Sequence, residues 1–276
     1  MTEFLLFLQR FSSPLADMFF LAVSALTSEV VFFLVLGYIY WCLDKEQGYL
    51  LGLSMLLSFT VNSGLKNLFQ IPRPYTYSLV RQIDMATGYG HSFPSAHAQL
   101  STTFAVLLGK TVRKKWAWIA GIVLVALTGI SRMYLGVHTP LDIAAGILLG
   151  VGMGLLGCLM VRHPEKRNLF SAVCLALTLL LLFFVRDKDL IKMAGFFSGF
   201  VAGHLLETNL IRSQLPEKNS LRLRKLAAGI FLVLAVKLAF SLLGLPSWAQ
   251  YLSAGLMVTA GVPFLSKLIT NRLQIG

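Results

Sequence analysis

The sequence predicts an all-α protein, a polytopic bundle of transmembrane helices, and three observations predict it. First, the 276 residues are 56% hydrophobic, with a mean hydropathy of +0.73. Second, only 13% are charged, about half the roughly 25% usual in soluble domains. Third, the apolar residues gather into runs such as Trp116 to Ile130 and Leu141 to Val161, each close to the ~20 residues that cross a bilayer core. A soluble protein of this composition would have to hide nearly every helix on all sides.

Residues 4 to 13 read as a short amphipathic or interfacial helix. An apolar stretch from 16 to 43, interrupted at Thr27-Ser28-Glu29, is either one tilted span or two half-length segments. Further spans are expected at 47–69, 96–112, 115–134, 139–161, 168–185, 189–211, 226–244 and 248–269, about nine in all if the first stretch counts once. Between them, residues 70–95 form the longest polar connection, rich in Pro, Gly, Tyr and charge; loops of this length are often functional. Met1-Thr2-Glu3 lacks the basic flank of a cleavable signal, so the first segment is expected to stay in the mature protein.

The net charge of +12 does not point to nucleic acid, because the basic residues cluster in short loops between spans. Lys45, the Lys110 to Lys115 cluster, the Arg162 to Arg167 cluster and the stretch from Arg212 to Lys225 all fall on one side if the spans alternate. The other side carries Arg73 and Arg81, and Arg186, Lys188 and Lys192 beside Asp187 and Asp189. Lys and Arg resist translocation, so the first set is expected in the cytoplasm and the 70–95 loop outside. The N-terminus is then expected outside and the C-terminus inside. Cys42, Cys158 and Cys174 form no CxxC pair and read as packing residues.

Three polar clusters break the hydrophobic pattern. Lys66-Asn67-Leu68-Phe69-Gln70-Ile71-Pro72-Arg73-Pro74 closes the 47–69 span, Phe93-Pro94-Ser95-Ala96-His97 opens the next, and Ser131-Arg132 and His138-Thr139-Pro140-Leu141-Asp142 flank a later turn. Alternation of spans brings all three to one membrane face. A single pocket is then expected to hold three permanent cations and two histidines, a content suited to a phosphate dianion. Lys66, Arg73 and Arg132 can neutralise it, the arginines through paired hydrogen bonds from a planar fork. Ser95 stands at an N-cap position, which lets the N–H groups of Ala96 and His97 point at an oxyanion. His138 and Asp142 are four residues apart across Pro140, which suits a first helical turn. The carboxylate can reach one imidazole nitrogen, set the tautomer and leave the other nitrogen as a nucleophile for phosphorus. His97 is free to protonate the leaving alkoxide and then to activate water. Taken singly, each piece is a snorkelling arginine, a helix cap or a local hydrogen bond. Their joint spacing on one face is what indicates a site.

The pattern K-x6-RP, then P-S-x-H, then S-R-x5-H-x3-D, spread over residues 47 to 161, resembles the three-part signature of the type 2 phosphatidic acid phosphatase superfamily. The resemblance implies a phosphatase core of six-helix type within residues 1–165, with residues 166–276 adding transmembrane helices of unassigned role. It implies hydrolysis of a lipid phosphate monoester or diphosphate, such as undecaprenyl diphosphate, phosphatidylglycerophosphate or phosphatidic acid, through a phosphohistidine and with no metal or other cofactor. Residue by residue it implies His138 as nucleophile, Asp142 as its partner and His97 as general acid. Lys66, Arg73 and Arg132 match phosphate-binding positions, and Ser95 and Ala96 the cradling turn. The family usually has Gly where Ala96 stands; a helical backbone there keeps the N–H available at no steric cost.

Other readings compete with a lipid phosphatase: hydrolysis of a soluble phosphate ester as in glucose-6-phosphatase, phosphoryl transfer between lipids, or a transporter or scaffold. A scaffold gives no physical reason for the set His97, His138 and Asp142, and a transporter more usually breaks its helices at mid-membrane. The expected partner is a membrane lipid phosphate, with no nucleic acid. The expected location is a bacterial inner membrane with the site on the extracytoplasmic face. Arg81, Asp84, His91, Tyr75, Tyr77 and Tyr89 read equally as a headgroup-selecting lid and as ordinary loop residues. The stripes Gly146, Gly150, Gly154 and Gly195, Gly199, Gly203 are expected to pack helices inside the monomer ahead of sealing a homo-oligomer. Glu29, Glu207 and Lys237 are expected to pair with one another in the bundle, with no catalytic role.

Overall fold

The computed structural model describes residues 2–185, 187–216 and 218–275, with side chains described through residue 269. Arg186, counted above among the outward-facing basic residues, lies outside the described residues. Among the described residues the long regular elements are all α-helices: α1 (Thr2–Gln9), α2 (Pro14–Leu26), α3 (Glu29–Cys42), α4 (Lys45–Phe69), α5 (Ala96–Val112), α6 (Lys115–Tyr134), α7 (Pro140–Arg162), α8 (Arg167–Phe184), α9 (Lys188–Leu206), α10 (Asn219–Leu242), α11 (Ser247–Leu256) and α12 (Val262–Ile275). Local chemistry sets the boundaries. The Ser13 hydroxyl accepts from Ala16 N at 3.2 Å with Pro14 in the first turn of α2, and Asp187 caps α9 through Asp189 N and Leu190 N. Arg113, in the left-handed region at φ 55°, ends α5.

Six helices are long and apolar enough to cross a membrane among the described residues, or seven spans if α2 and α3, bent by 42° at Thr27-Ser28, count as one. The sequence leads one to expect about nine. The difference lies in α5 and α9, which form at the expected positions but are more polar than a lipid-facing span. α5 has 17 residues, and its buried face is hydrophilic. The Gln99 amide donates to the Ser58 carbonyl at 2.8 Å and accepts from Asn62 at 2.8 Å, while Thr103 meets Ser58 at 3.0 Å. Such a helix is suited to protein neighbours on its polar side. α9 carries Asp189, Lys192 and His204 along with its three glycines.

The chain divides into two compact units. The first combines Met1–Phe32 with Leu57–Leu159. Here α5 packs on α6, and α7 lies against α5 along the first glycine stripe. A Cβ on Gly146 would stand 2.6 Å from the Ser95 carbonyl oxygen, and one on Gly150 2.5 Å from that of Gln99. The approach requires glycine, and it brings the start of α7 against the start of α5. The second unit combines Phe33–Leu56 with Met160–Gly276. There α9 packs on α11, and Cβ atoms on Gly195 and Gly199 would meet the carbonyl oxygens of Trp248 and Leu252 at 2.3 and 2.0 Å. Both stripes therefore pack helices within a unit. The expected mutual pairing of intramembrane charges does not form. Glu207 pairs with Lys45 and accepts from Ser213, Lys237 lies over the Tyr251 ring at 4.7 Å, and Glu29 opens α3. Glu207 and Lys237 instead each reach a partner that packing within the second unit brings close. Cys42 and Cys174 are buried, as expected of packing residues.

Candidate active site

Every site residue singled out in the sequence lies in the unit built from Met1–Phe32 and Leu57–Leu159. Lys66 ends α4, and its ammonium donates to the His91 carbonyl at 2.8 Å. Arg73 is buried under the loop. Its Nη2 donates to the Tyr89 carbonyl at 2.6 Å, its Nε to the Gly90 carbonyl at 3.2 Å, and its Nη1 to the Val137 carbonyl at 2.9 Å. The guanidinium thus ties the 70–95 loop to the turn before α7. Burial draws its pKa down to about 10, which leaves it charged at neutral pH.

His138 sits in that turn, 1% exposed. Its Nε2 lies 3.3 Å from Arg73 Nη1. Arginine has donors only, so Nε2 accepts and the ring proton resides on Nδ1. Nδ1 faces the Ser92 hydroxyl at 3.4 Å, and Ser92 in turn donates to Asp142 Oδ2 at 2.6 Å. The same carboxylate oxygen stands 3.6 Å from Nδ1. The close His138–Asp142 hydrogen bond expected from their spacing is thus long, and Ser92 spans the gap. The cause is local. Asp142 Oδ2 also accepts from Thr139 N at 2.7 Å, while Thr139 Oγ1 accepts from Asp142 N at 3.3 Å. This reciprocal cap holds the carboxylate over the first turn of α7. Burial, reinforced by the charges of Arg73, Lys66 and Arg132, holds His138 well below the usual histidine range, so the imidazole is neutral.

Ser95 is the N-cap of α5. Its hydroxyl accepts from Ala98 N at 3.4 Å and its own N–H donates to the Asp142 carbonyl at 3.0 Å. Ala96 and His97 occupy the first turn, where N–H groups have no intrahelical partner. Ala96 is helical, so the missing glycine costs no backbone strain here. His97 is buried within electrostatic reach of Arg132, His138 and Lys66. Its Nε2 has no hydrogen-bond partner among the described residues. Arg132, near the end of α6, is 0% exposed; its Nη1 donates to Asp84 Oδ2 at 2.7 Å and to Ser24 Oγ at 2.5 Å. Its Nε and Nη2 are buried without a partner among the described residues. Buried polar atoms without partners are rare in folded proteins, and these three belong to two residues within electrostatic reach of each other.

Three contributors were not assigned a role from the sequence. Asp84 is 3% exposed and paired with Arg132. Burial pushes its carboxyl up, but the Thr87 hydroxyl and N–H and the Arg132 charge outweigh this and hold it at about 2. The available signal was that it is the one acidic residue in the 70–95 loop. Ser92 and Ser24 gave no signal, since a serine near a helix is commonplace. The arm formed by α1 and α2 was also unforeseen as part of the site. The Gln9 amide donates to the carbonyls of Arg81 at 2.7 Å and Tyr134 at 3.0 Å, and Leu8 and Phe20 pack on Tyr134, Leu135 and Val137. Arg81 pairs with Asp17 at 3.0 Å. Gly136, at φ +75°, passes so close to Arg81 that a Cβ would be 2.2 Å from its carbonyl oxygen.

Residues 47–166 match the model of the PAP2 superfamily, and residues 191–271 match that of the PAP2 superfamily phosphatase, transmembrane extension. The chain is 36% identical over 106 residues to an undecaprenyl-diphosphatase of Sulfolobus acidocaldarius, covering 38% of this chain and 51% of that protein. It is 30% identical over 163 residues to a lipid A 4'-phosphatase of Bacteroides thetaiotaomicron, covering 54% of this chain and 71% of that protein. The crystal structure of Aquifex aeolicus LpxE aligns with a TM-score of 0.51 at 29% sequence identity, over 57% of this chain and 93% of that one. The match to the archaeal relative thus spans about half of that protein's length. With three motifs in order on one buried polar site and several membrane-spanning helices, this integral membrane protein belongs to the PAP2 superfamily.

Proposed function

We propose that the protein is a phosphatase that hydrolyses a lipid phosphate monoester or diphosphate through a phosphohistidine on His138, without a metal. The observation that carries this reading is the set of buried polar atoms without partners among the described residues, the donors Arg132 Nε and Nη2 with the ring nitrogen His97 Nε2, beside a neutral His138 whose Nε2 carries the lone pair. In the first step that lone pair forms the N–P bond as the bond from phosphorus to the leaving oxygen breaks. His97 gives its proton to that oxygen. The proton on His138 Nδ1 stays in place, held towards Ser92 and Asp142, and stabilises the cationic ring that forms. Lys66, Arg73 and Arg132 neutralise the charge on the equatorial oxygens, and the first-turn N–H groups of Ala96 and His97 add to them. In the second step water attacks phosphorus, His97 takes a proton from it, the P–N bond breaks and phosphate leaves.

A lipid substrate is favoured by the surroundings. Leu68, Leu79 and Met85 expose large apolar side chains beside the polar site, Leu79 to 92%. Such residues suit a loop lying at the headgroup level of a bilayer, where a lipid presents its phosphate from the side. The sorting of basic residues supports an extracytoplasmic site in a bacterial inner membrane. The test is phosphate release by the purified chain from a panel of lipid phosphates and diphosphates, with chelator present and His138→Ala as control. Release from one lipid, abolished in the folded variant, is expected. Substantial release by His138→Ala would overturn the mechanism, and release only from a soluble ester would overturn the substrate class. For orientation, a cysteine at Met85 should react with an impermeant maleimide applied to intact cells; labelling only after lysis would invert the topology.

A further inference from the structure

We propose that Asp84, with Ser24, is a positioning residue for Arg132: it anchors one nitrogen of the guanidinium so that the opposite edge is held as a two-pronged donor for the phosphoryl group. The inference rests on the phosphatase reading of the site.

The geometry of a guanidinium makes the argument specific. Nε–H and one Nη2–H run parallel along one edge of the plane, the edge that grips two oxygens of a phosphate side by side. Nη1 projects from the far side. Among the described residues Nη1 holds every hydrogen-bond partner of the Arg132 guanidinium, namely Asp84 Oδ2 at 2.7 Å and Ser24 Oγ at 2.5 Å. The parallel pair, Nε and Nη2, is buried and has none among the described residues. Ser24 also donates to Asp84 Oδ2 at 3.4 Å, so the three groups close a triangle around Nη1. An arginine held only by its alkyl stem would sample several orientations. With Nη1 pinned, the stem torsions cannot swing the planar guanidinium and the free edge faces one direction. Asp84 is itself held. Its Oδ1 accepts from Ala86 N at 3.0 Å and from Thr87 N at 2.9 Å. The two oxygens therefore differ in their partners: Oδ1 accepts from the two loop N–H groups, and Oδ2 from Arg132, Ser24 and the Thr87 hydroxyl at 2.5 Å.

That division makes Asp84→Asn selective. Two backbone N–H groups select the amide oxygen for the Oδ1 place, and the amide NH2 then faces Arg132 Nη1 as donor against donor. The loop turn keeps its two backbone bonds, the Thr87 hydroxyl can rotate to accept from the amide NH2, and the anchor on Arg132 is lost. Arg132→Lys supplies the complementary background, because an ammonium is a point charge with no fork to orient.

The experiment is a double-mutant cycle on the full chain in nanodiscs, reading kcat and KM for the lipid phosphate that the wild type turns over. Asp84→Asn should lower kcat by about 30- to 300-fold with KM within about threefold, as expected when a donor acts mainly in the transition state. In the Arg132→Lys background the same change should cost no more than about twofold, since there is no fork left to position. Equal losses in both backgrounds would mean a structural role and overturn the proposal, as would Asp84→Asn retaining kcat within about threefold. If Asp84→Asn does not fold, Ser24→Ala replaces it, with an expected loss of about three- to tenfold in wild type and none in Arg132→Lys; an unchanged kcat would overturn the proposal. If the wild type releases phosphate from no substrate, the phosphatase reading fails, and orthovanadate decides the positioning claim separately. A rise in Tm on adding orthovanadate to the wild type that is lost in Asp84→Asn and in Arg132→Lys supports it. An equal rise in wild type and Asp84→Asn, or none in the wild type, overturns it.

Discussion

Replacing Asp142 by Asn should separate the two tasks that its carboxylate performs. Its Oδ2 accepts from Ser92 at 2.6 Å and from Thr139 N at 2.7 Å, and it faces His138 Nδ1 at 3.6 Å. The amide of Asn keeps one oxygen, which can retain the Thr139 cap. What is lost is the charged hydrogen bond to Ser92, on the order of 1.5 kcal/mol, and a negative charge in the first turn of α7, about 0.5 kcal/mol. The expected destabilisation is therefore about 2 kcal/mol. The effect on rate should be larger. Where a carboxylate bonds a catalytic histidine directly, Asp→Asn costs about 10⁴ in kcat. Here the coupling runs over 3.6 Å and through Ser92, so a loss of about 10²–10³ is expected. Initial rates of phosphate release, measured beside the thermal unfolding midpoint, check both figures. A variant within about tenfold of wild-type kcat at an unchanged midpoint would refute the reasoning, because the carboxylate would then neither orient His138 nor stabilise its cationic form.

Three further outcomes are expected. His97→Ala should lose about 10²–10⁴ in rate for a lipid alkoxide and less for a good leaving group such as p-nitrophenolate; equal losses for both would remove His97 as the acid. Gly150→Ala should destabilise by about 1–3 kcal/mol, because the new Cβ would stand 2.5 Å from the Gln99 carbonyl oxygen and 2.6 Å from Thr102 Cβ; an unchanged midpoint in a thermal unfolding scan would show that α5 and α7 are packed more loosely than described. The Asp84 carboxyl, held at about 2 against an ordinary 3.8, stabilises the folded state above its unfolded pKa and loses that contribution as pH falls towards 2. The difference in unfolding midpoint between wild type and Asp84→Asn should thus be constant from about pH 5 to pH 8 and close below about pH 4; a difference that grows on acidification would contradict the sign.

Helices of this protein were legible where a pattern was local. The starts and ends of α5 and α6 fall where the hydrophobic runs end, because Ser95 and Lys115 bound segments whose neighbours cannot continue the helix. The first apolar stretch left two readings open, and Thr27-Ser28 resolves them into a bend between α2 and α3. The number of spans was less legible. Hydropathy does not distinguish a helix facing lipid from one such as α5 whose polar face meets Asn62 and Ser58. Among the charges, Glu207 and Lys45 are far apart in sequence and meet only through packing within their unit.

By itself the sequence determined the membrane class, the positions of most helices and the eight candidate site residues Lys66, Arg73, Ser95, Ala96, His97, Arg132, His138 and Asp142. It did so because each depends on a short-range signal: a hydrophobic run, a capping serine, an i to i+4 spacing or a compact motif. Only the tertiary structure decided how those residues are supported. Ser92 comes between His138 and Asp142, Asp84 and Ser24 grip one end of Arg132, and Arg73 spends its donors on loop carbonyls beside His138. These contacts join α2, the 70–95 loop and the ends of α6 and α7, segments separated by tens of residues. Buried charges and donors must find partners wherever packing brings one within reach, and that choice is made in three dimensions.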